Sequence, residues 1–128
     1  MDLSIDLRSP IPVYRQIIAG IRRVLVTGAI APGETLPTVR ELAFELGVHH
    51  NTVAQAYRAL ADEGWLDLRR RRGATVLDRA RPAAEAGTEA TYLRRLQELV
   101  AEAASAGVPR RRIAIALGKL AHELEEHP

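Results

Sequence analysis

The chain has no cysteine, and its 128 residues include only one Phe, one Trp, one Met and three Tyr. Absence of cysteine excludes disulfides, thiolate zinc sites and cysteine nucleophiles. With aromatics at 4% and hydrophobic residues at 47%, the core has to be aliphatic, built mostly of Leu, Val, Ile and Ala. No apolar run approaches the roughly 20 residues that span a bilayer. The acidic start Met1-Asp2-Leu3-Ser4 lacks the cationic flank of a secretory signal, so a cytoplasmic location is expected. Paired carboxylates, a phosphate loop and a nucleophile constellation are also missing, which argues against an enzyme. His49 and His50 are neighbours and His122 and His127 are five apart, so neither pair has the i, i+4 spacing of two metal ligands on one helix face. No metal or cofactor is expected.

Charge is informative by placement rather than amount. The net charge is +2, and the excess lies in residues 1–80, which hold 11 Arg against 9 acids, whereas residues 81–128 hold 7 cations and 7 acids. Four consecutive arginines, Arg69 to Arg72, concentrate positive charge at one point. A local cationic tip counts for more at a phosphate surface than diffuse charge does.

Hydrophobic period divides the chain into elements. Leu3, Ile5 and Leu7 alternate with polar residues and predict an extended lead-in with one buried face. Val13, Ile17, Ile21, Val24 and Leu25 recur at helical spacing, so a first helix is expected from about Pro12 to Thr27, with Gly28 as its stop. Ala31-Pro32-Gly33-Glu34 reads as a turn. Thr38-Val39-Arg40-Glu41 is a capping-box pattern that opens a second helix, with Val39, Leu42, Ala43 and Leu46 inward and Gly47 at its end. A third helix follows over about His50 to Glu63, with Val53, Ala56, Tyr57 and Leu60 inward and Gly64 as stop. Tyr57 and Trp65 fall on inward positions and read as core anchors. Two short helices joined through a Gly-containing turn are the helix-turn-helix pattern. After Gly64 the period changes to two, through Trp65-Leu66-Asp67-Leu68 and Ala74-Thr75-Val76-Leu77, which predicts a hairpin tipped by Arg70 to Gly73. The fold class expected is mainly α with a small β-wing: a winged helix-turn-helix domain over 1–80, a linker over 81–88 and a two-helix tail over 89–128. The tail stripes are Tyr92, Leu93, Leu96, Leu99, Val100 and Ala103, then Ile113, Ala116, Leu117, Leu120, Ala121 and Leu124. Such a pair cannot bury both stripes alone and needs the first domain or another copy.

The side chains at the start of the third helix suit DNA. His50, Asn51, Thr52 and Gln55 are polar, with Gln55 one turn beyond Asn51. Asn and Gln pair bidentately with adenine, and Thr contacts base or phosphate. Arg40 lies beside the capping box, where a helix N-terminus already favours phosphate. Alternation on a strand sends neighbouring arginines of the tip to opposite faces, so two of the four are expected on phosphate or in a minor groove. The competing readings are a winged-helix protein-interaction module and a nonspecific architectural DNA binder. The first calls for exposed apolar residues on the third helix, where this chain has His, Asn, Thr, Gln and Arg58.

A family resemblance sharpens this picture. Pro32-Gly33, Leu36-Pro37-Thr38-Val39-Arg40-Glu41-Leu42-Ala43, Leu46-Gly47-Val48, Asn51-Thr52-Val53, Ala56-Tyr57, Leu60 and Gly64-Trp65-Leu66 together resemble the GntR family of bacterial transcriptional regulators. The short two-helix tail is similar to that of the YtrA subfamily. The resemblance implies double-stranded DNA as partner, a homodimer, and repression from an inverted-repeat operator, commonly of a transport operon. It implies DNA contacts by Arg40, by His50, Asn51 and Thr52 at the start of the recognition helix, and a wing position for Gly73. With their neighbours, the DNA-facing set is Thr38, Arg40, His49, His50, Asn51, Thr52, Gln55 and Arg58, with Arg70, Arg71, Arg72 and Gly73 on the wing. The tail then serves dimerisation through Tyr92, Leu96, Leu99, Val100, Ile113, Leu117, Leu120 and Leu124. Before the recognition helix His49 stands where many members carry Ser or Asn and reads as a weaker N-cap than either, and Arg71-Arg72-Gly73 replaces their Gly-x-Gly wing. No small-molecule effector can be named from so short a tail.

Overall fold

The computed structural model describes residues 1–69, 73–78 and 84–126. Contacts divide the chain into two compact units, Met1–Arg79 and Ala80–Pro128. The first unit carries α1 (Val13–Val26), α2 (Val39–Leu46), α3 (His50–Asp62), β1 (Leu66–Asp67) and β2 (Thr75–Val76). The second carries α4 (Thr88–Ser105) and α5 (Arg110–Glu126).

In the first unit α3 is the central element and packs against both α1 and α2. Its four inward positions, Val53, Ala56, Tyr57 and Leu60, are all buried, and they meet Ile17, Ile21 and Leu25 of α1 and Leu42 and Ala43 of α2. Leu36, Leu66, Ala74 and Val76 close the same core from the strand side. Trp65 packs against it partly buried. Two glycines end the helical segments as their sequence positions require: Gly47 follows α2 at φ 69°, and Gly64 follows α3 at φ 88°. Both conformations are open to Gly at no steric cost. On the surface, Arg22 of α1 reaches across to Glu63 at the end of α3, with Nη2 2.9 Å from Oε2.

The hairpin is antiparallel, with Leu66 opposite Val76 and Asp67 opposite Thr75. Its β2 strand is paired on both sides. The Gly33 N–H donates to the Val76 carbonyl, the Leu36 N–H to the Ala74 carbonyl and the Val76 N–H to the Glu34 carbonyl, each at 2.8 Å. The turn expected at Ala31–Glu34 is present, with Glu34 N–H bonded to the Ala31 carbonyl at 3.1 Å. The residues after it supply a third extended segment that the sequence reading leaves unassigned. That segment is too short, between a turn and Pro37, to display a period of its own.

The lead-in also differs from its expectation. Leu3 and Ile5 pack against the core, but Leu7 is 75% exposed because the chain turns there instead of continuing extended. Gln16 of α1 holds this segment: its side-chain oxygen accepts from the Asp6 N–H at 2.8 Å and its amide nitrogen donates to the Asp6 and Ile11 carbonyls at 2.9 Å. Leu3 lies over Gly20, where an added Cβ would come within 2.7 Å of its Cδ2.

In the second unit α4 begins at Thr88, one residue before the tail boundary expected from sequence. Gly107, at φ 99°, turns the chain after α4, and the Pro109 carbonyl accepts from the N–H groups of Arg112 and Ile113 to open α5. The two helices pack against each other, but neither contains a buried residue.

Candidate nucleic-acid interface

Thr38 has extended backbone, and its hydroxyl accepts from the Glu41 N–H at 3.1 Å, which starts α2. Among the described residues this is the half of the capping box that forms. Arg40 is exposed on the first turn of the same helix. Phe44, 91% exposed, lies four residues further on and so projects from the same side. Sequence reasoning assigned nothing to Phe44. The available signal was that the chain's lone Phe falls off the apolar stripe of its helix.

At the start of α3 the His49 backbone is extended and its Nδ1 accepts from the Asn51 N–H at 3.0 Å. His49 is therefore the N-cap of the helix. An imidazole does this only with Nδ1 unprotonated, so Nε2 carries the ring proton in this arrangement. The His49 and His50 rings stack with centroids 4.3 Å apart. Beyond them Asn51, Gln55 and Arg58 are exposed while Thr52 is half-buried. The exposed face of α3 thus begins with polar side chains and continues to a cation.

Three elements meet in one groove of about 480 Å³. Its lining comes from α2 (Thr38, Val39, Arg40), α3 (Ala54, Tyr57, Arg58) and the hairpin (Leu68, Gly73). Two guanidinium residues from different helices, Arg40 and Arg58, therefore border the same concavity. The wall is pinned from below, where the Tyr57 hydroxyl donates to the Pro37 carbonyl at 2.7 Å. Burial raises the Tyr57 phenol well above its ordinary value, and the charges of Glu41 and Glu45 add to the effect. The hydroxyl accordingly remains a donor. Gly73 closes the wing side at φ 97°, where an added Cβ would meet the Leu36 carbonyl oxygen at 3.2 Å. Close backbone approach requires glycine here.

Arg69 is paired with Asp67. Its Nε and Nη2 lie 3.0 Å from the two carboxylate oxygens of Asp67, and its N–H donates to Asp67 at 2.9 Å. Arg70, Arg71 and Arg72, expected at the tip, lie outside the described residues. The sites expected on the tail fall on α4 and α5: Tyr92, Leu96 and Leu99 are 60%, 45% and 60% exposed, and Leu117, Leu120 and Leu124 are exposed as well. Val100 and Ile113 are half-buried, lining a groove between the two helices. Among the described residues no cluster of His, Asp or Glu is placed to hold a metal ion, and no helix is long and apolar enough to cross a membrane.

Known proteins agree with this geometry. The profile of the family described as bacterial regulatory proteins, gntR family, matches residues 13–76. The HTH-type transcriptional repressor YtrA of Bacillus subtilis is 36% identical over 106 residues, covering 83% of this chain and 82% of that protein. A solved structure of YtrA from Sulfolobus acidocaldarius, a GntR-family transcription factor, is 30% identical with a TM-score of 0.58, covering 96% of this chain and 99% of the other. The DNA-binding domain of AraR in complex with operator ORX1 is 27% identical with a TM-score of 0.54, covering 59% of this chain and 98% of that domain.

Proposed function

The chain belongs to the GntR family of bacterial, DNA-binding transcriptional regulators, and on that premise we propose that it is a homodimeric repressor reading an inverted-repeat operator, by its YtrA likeness that of a transport operon. The observation that carries the reading is the convergence of Arg40, Arg58 and the wing on one groove beside the exposed polar start of α3. In this reading α3 enters a major groove with Asn51 and Gln55 toward base edges, while His50 and Thr52 contact bases or backbone. Arg40 and Arg58 neutralise flanking phosphates, and the Arg-rich wing lies alongside. The exposed apolar stripes of α4 and α5 support dimerisation through the tail. A twofold dimer places its half-sites about one helical turn apart, roughly 10 base pairs. Repression then follows from occlusion of a promoter.

The test is selection of binding sites from random duplex DNA by the purified full-length chain at near-physiological salt. An enriched inverted repeat is the expected result. Absence of enrichment with folded protein would refute sequence-specific reading and favour the interaction-module or architectural alternative.

A further inference from the structure

An acid stands at the base of the arginine run on the wing. Arg69 opens that run, and two residues earlier Asp67 lies on β1 opposite Thr75. The Asp67 side chain is only 17% exposed, so the hairpin holds its carboxylate in place, whereas the side chain of Arg69 is 89% exposed. Three bonds join the two residues. The guanidinium donates through Nε to Oδ1 and through Nη2 to Oδ2, both at 3.0 Å, and the Arg69 backbone N–H donates to Oδ1 at 2.9 Å. Most exposed ion pairs are weak because two long side chains lose freedom in forming them. Here the partners are two residues apart and the backbone bond already fixes one to the other, so little further freedom is lost. A planar guanidinium offers phosphate the same two-pronged edge that it offers a carboxylate. Asp67 therefore occupies the edge of Arg69 that a DNA phosphate would use. Arg40 and Arg58, the guanidinium residues of the groove, form no ion pair among the described residues.

We propose that Asp67 withholds Arg69 from the DNA phosphates, and so limits the charge with which the wing grips DNA of any sequence. Phosphate neutralisation supplies essentially all of nonspecific binding and carries no sequence information. A further wing contact would strengthen binding everywhere, including at the far more numerous wrong sites, and would lower the ratio on which operator choice depends. Asp67 is in this sense a positioning residue: it acts through Arg69, and discrimination is the consequence. The proposal rests on the reading that the wing lies alongside DNA, and it adds which arginine of the run is kept from that contact. Repulsion of phosphate by the Asp67 charge alone is a different mechanism, and the experiment below separates the two.

The test is the affinity of the full-length chain for duplex DNA of random sequence, read by fluorescence anisotropy over roughly 50 to 200 mM salt. Asp67→Asn keeps an oxygen for the Arg69 N–H and removes the charge that holds the guanidinium. It is expected to tighten binding about threefold or more, and to steepen the fall of log affinity with log salt by about 0.9, the increment of one added phosphate contact. Both changes are gains, which a chain that had lost its fold could not show. Unchanged affinity and slope in Asp67→Asn would overturn the proposal. Arg69→Gln alone is expected to leave affinity and slope as they are, because its guanidinium is not on phosphate; a flatter slope would show Arg69 already on DNA and would also overturn it. In the double variant the gain from Asp67→Asn is expected to fall by at least half. An undiminished gain would assign the effect to the Asp67 charge and refute a role through Arg69. Arg71→Gln with Arg72→Gln reports on the underlying reading. A flatter slope in that variant places the wing on DNA, so that failure at Asp67 then counts against the pair alone, whereas an unchanged slope would remove the wing contact and the proposal together.

Discussion

Tyr57 ties the third helix to the segment leading into the second, through a hydroxyl that donates to the Pro37 carbonyl at 2.7 Å. Tyr57→Phe removes the donor and leaves that carbonyl short of a partner, so a loss of about 1–2 kcal/mol is expected in urea denaturation. The phenol also gives stability a pH dependence. Its folded-state value is raised above the ordinary 10.0, chiefly by burial. The contribution from keeping it neutral is therefore complete below about pH 10 and is lost as pH climbs toward the folded value. Unaltered protein should lose stability in alkali more steeply than Tyr57→Phe, and equal slopes would show that the phenol is not responsible. At Gly73, an alanine would suffer both the left-handed φ of 97° and a Cβ 3.2 Å from the Leu36 carbonyl oxygen. Gly73→Ala should lower stability by roughly 1–2 kcal/mol, read from thermal melts. On DNA, Asn51→Ala or Gln55→Ala should cost about 1–3 kcal/mol and relax preference at one operator position. An equal loss on every DNA sequence would contradict base reading.

At the scale of the element, both helices of the helix-turn-helix begin at a side-chain cap. Thr38→Ala and His49→Ala should each cost about 1 kcal/mol, whereas His49→Ser keeps an acceptor and should hold stability within a few tenths. Chemical denaturation of the three variants separates these outcomes, and a His49→Ala chain as stable as the unaltered one would deny the cap. The Thr38 cap was legible because Thr and Glu three apart before an apolar run have a local physical meaning. The His49 cap was legible as a position, though as a weaker cap than Ser or Asn; that its Nδ1 makes the bond to the Asn51 N–H is a choice of rotamer that the residue order does not carry. The apolar stripes of the first three helices were also legible, because burial of one helical face is written in a period of 3.6. The pairing of residues 33–36 with β2 was hidden, because it is a contact between segments some forty residues apart in sequence.

For the whole molecule, the contrast is between a unit with its own core and one without. Met1–Arg79 buries Ile17, Ile21, Leu42, Val53 and Leu60 completely, whereas neither α4 nor α5 holds a buried residue. If the tail folds against a second copy, its helical signal should melt at a temperature that rises with protein concentration, while the first unit's melting does not. Circular dichroism over a hundredfold dilution series would show this, and a tail melt independent of concentration would refute dimerisation through it.

The sequence by itself determined the aliphatic core, the helix-turn-helix and hairpin, the two-helix tail and the family. Each depends on local period, caps, turns or a motif that one strand of text carries. Only the tertiary structure decided that Arg40, Arg58 and Gly73 border one groove, that Tyr57 pins Pro37, that β2 is paired on both sides, and that Arg69 folds back on Asp67. Those are juxtapositions across segments or choices of side-chain rotamer. They are settled by how the chain packs in space, and residue order alone does not encode them in a form that can be read position by position.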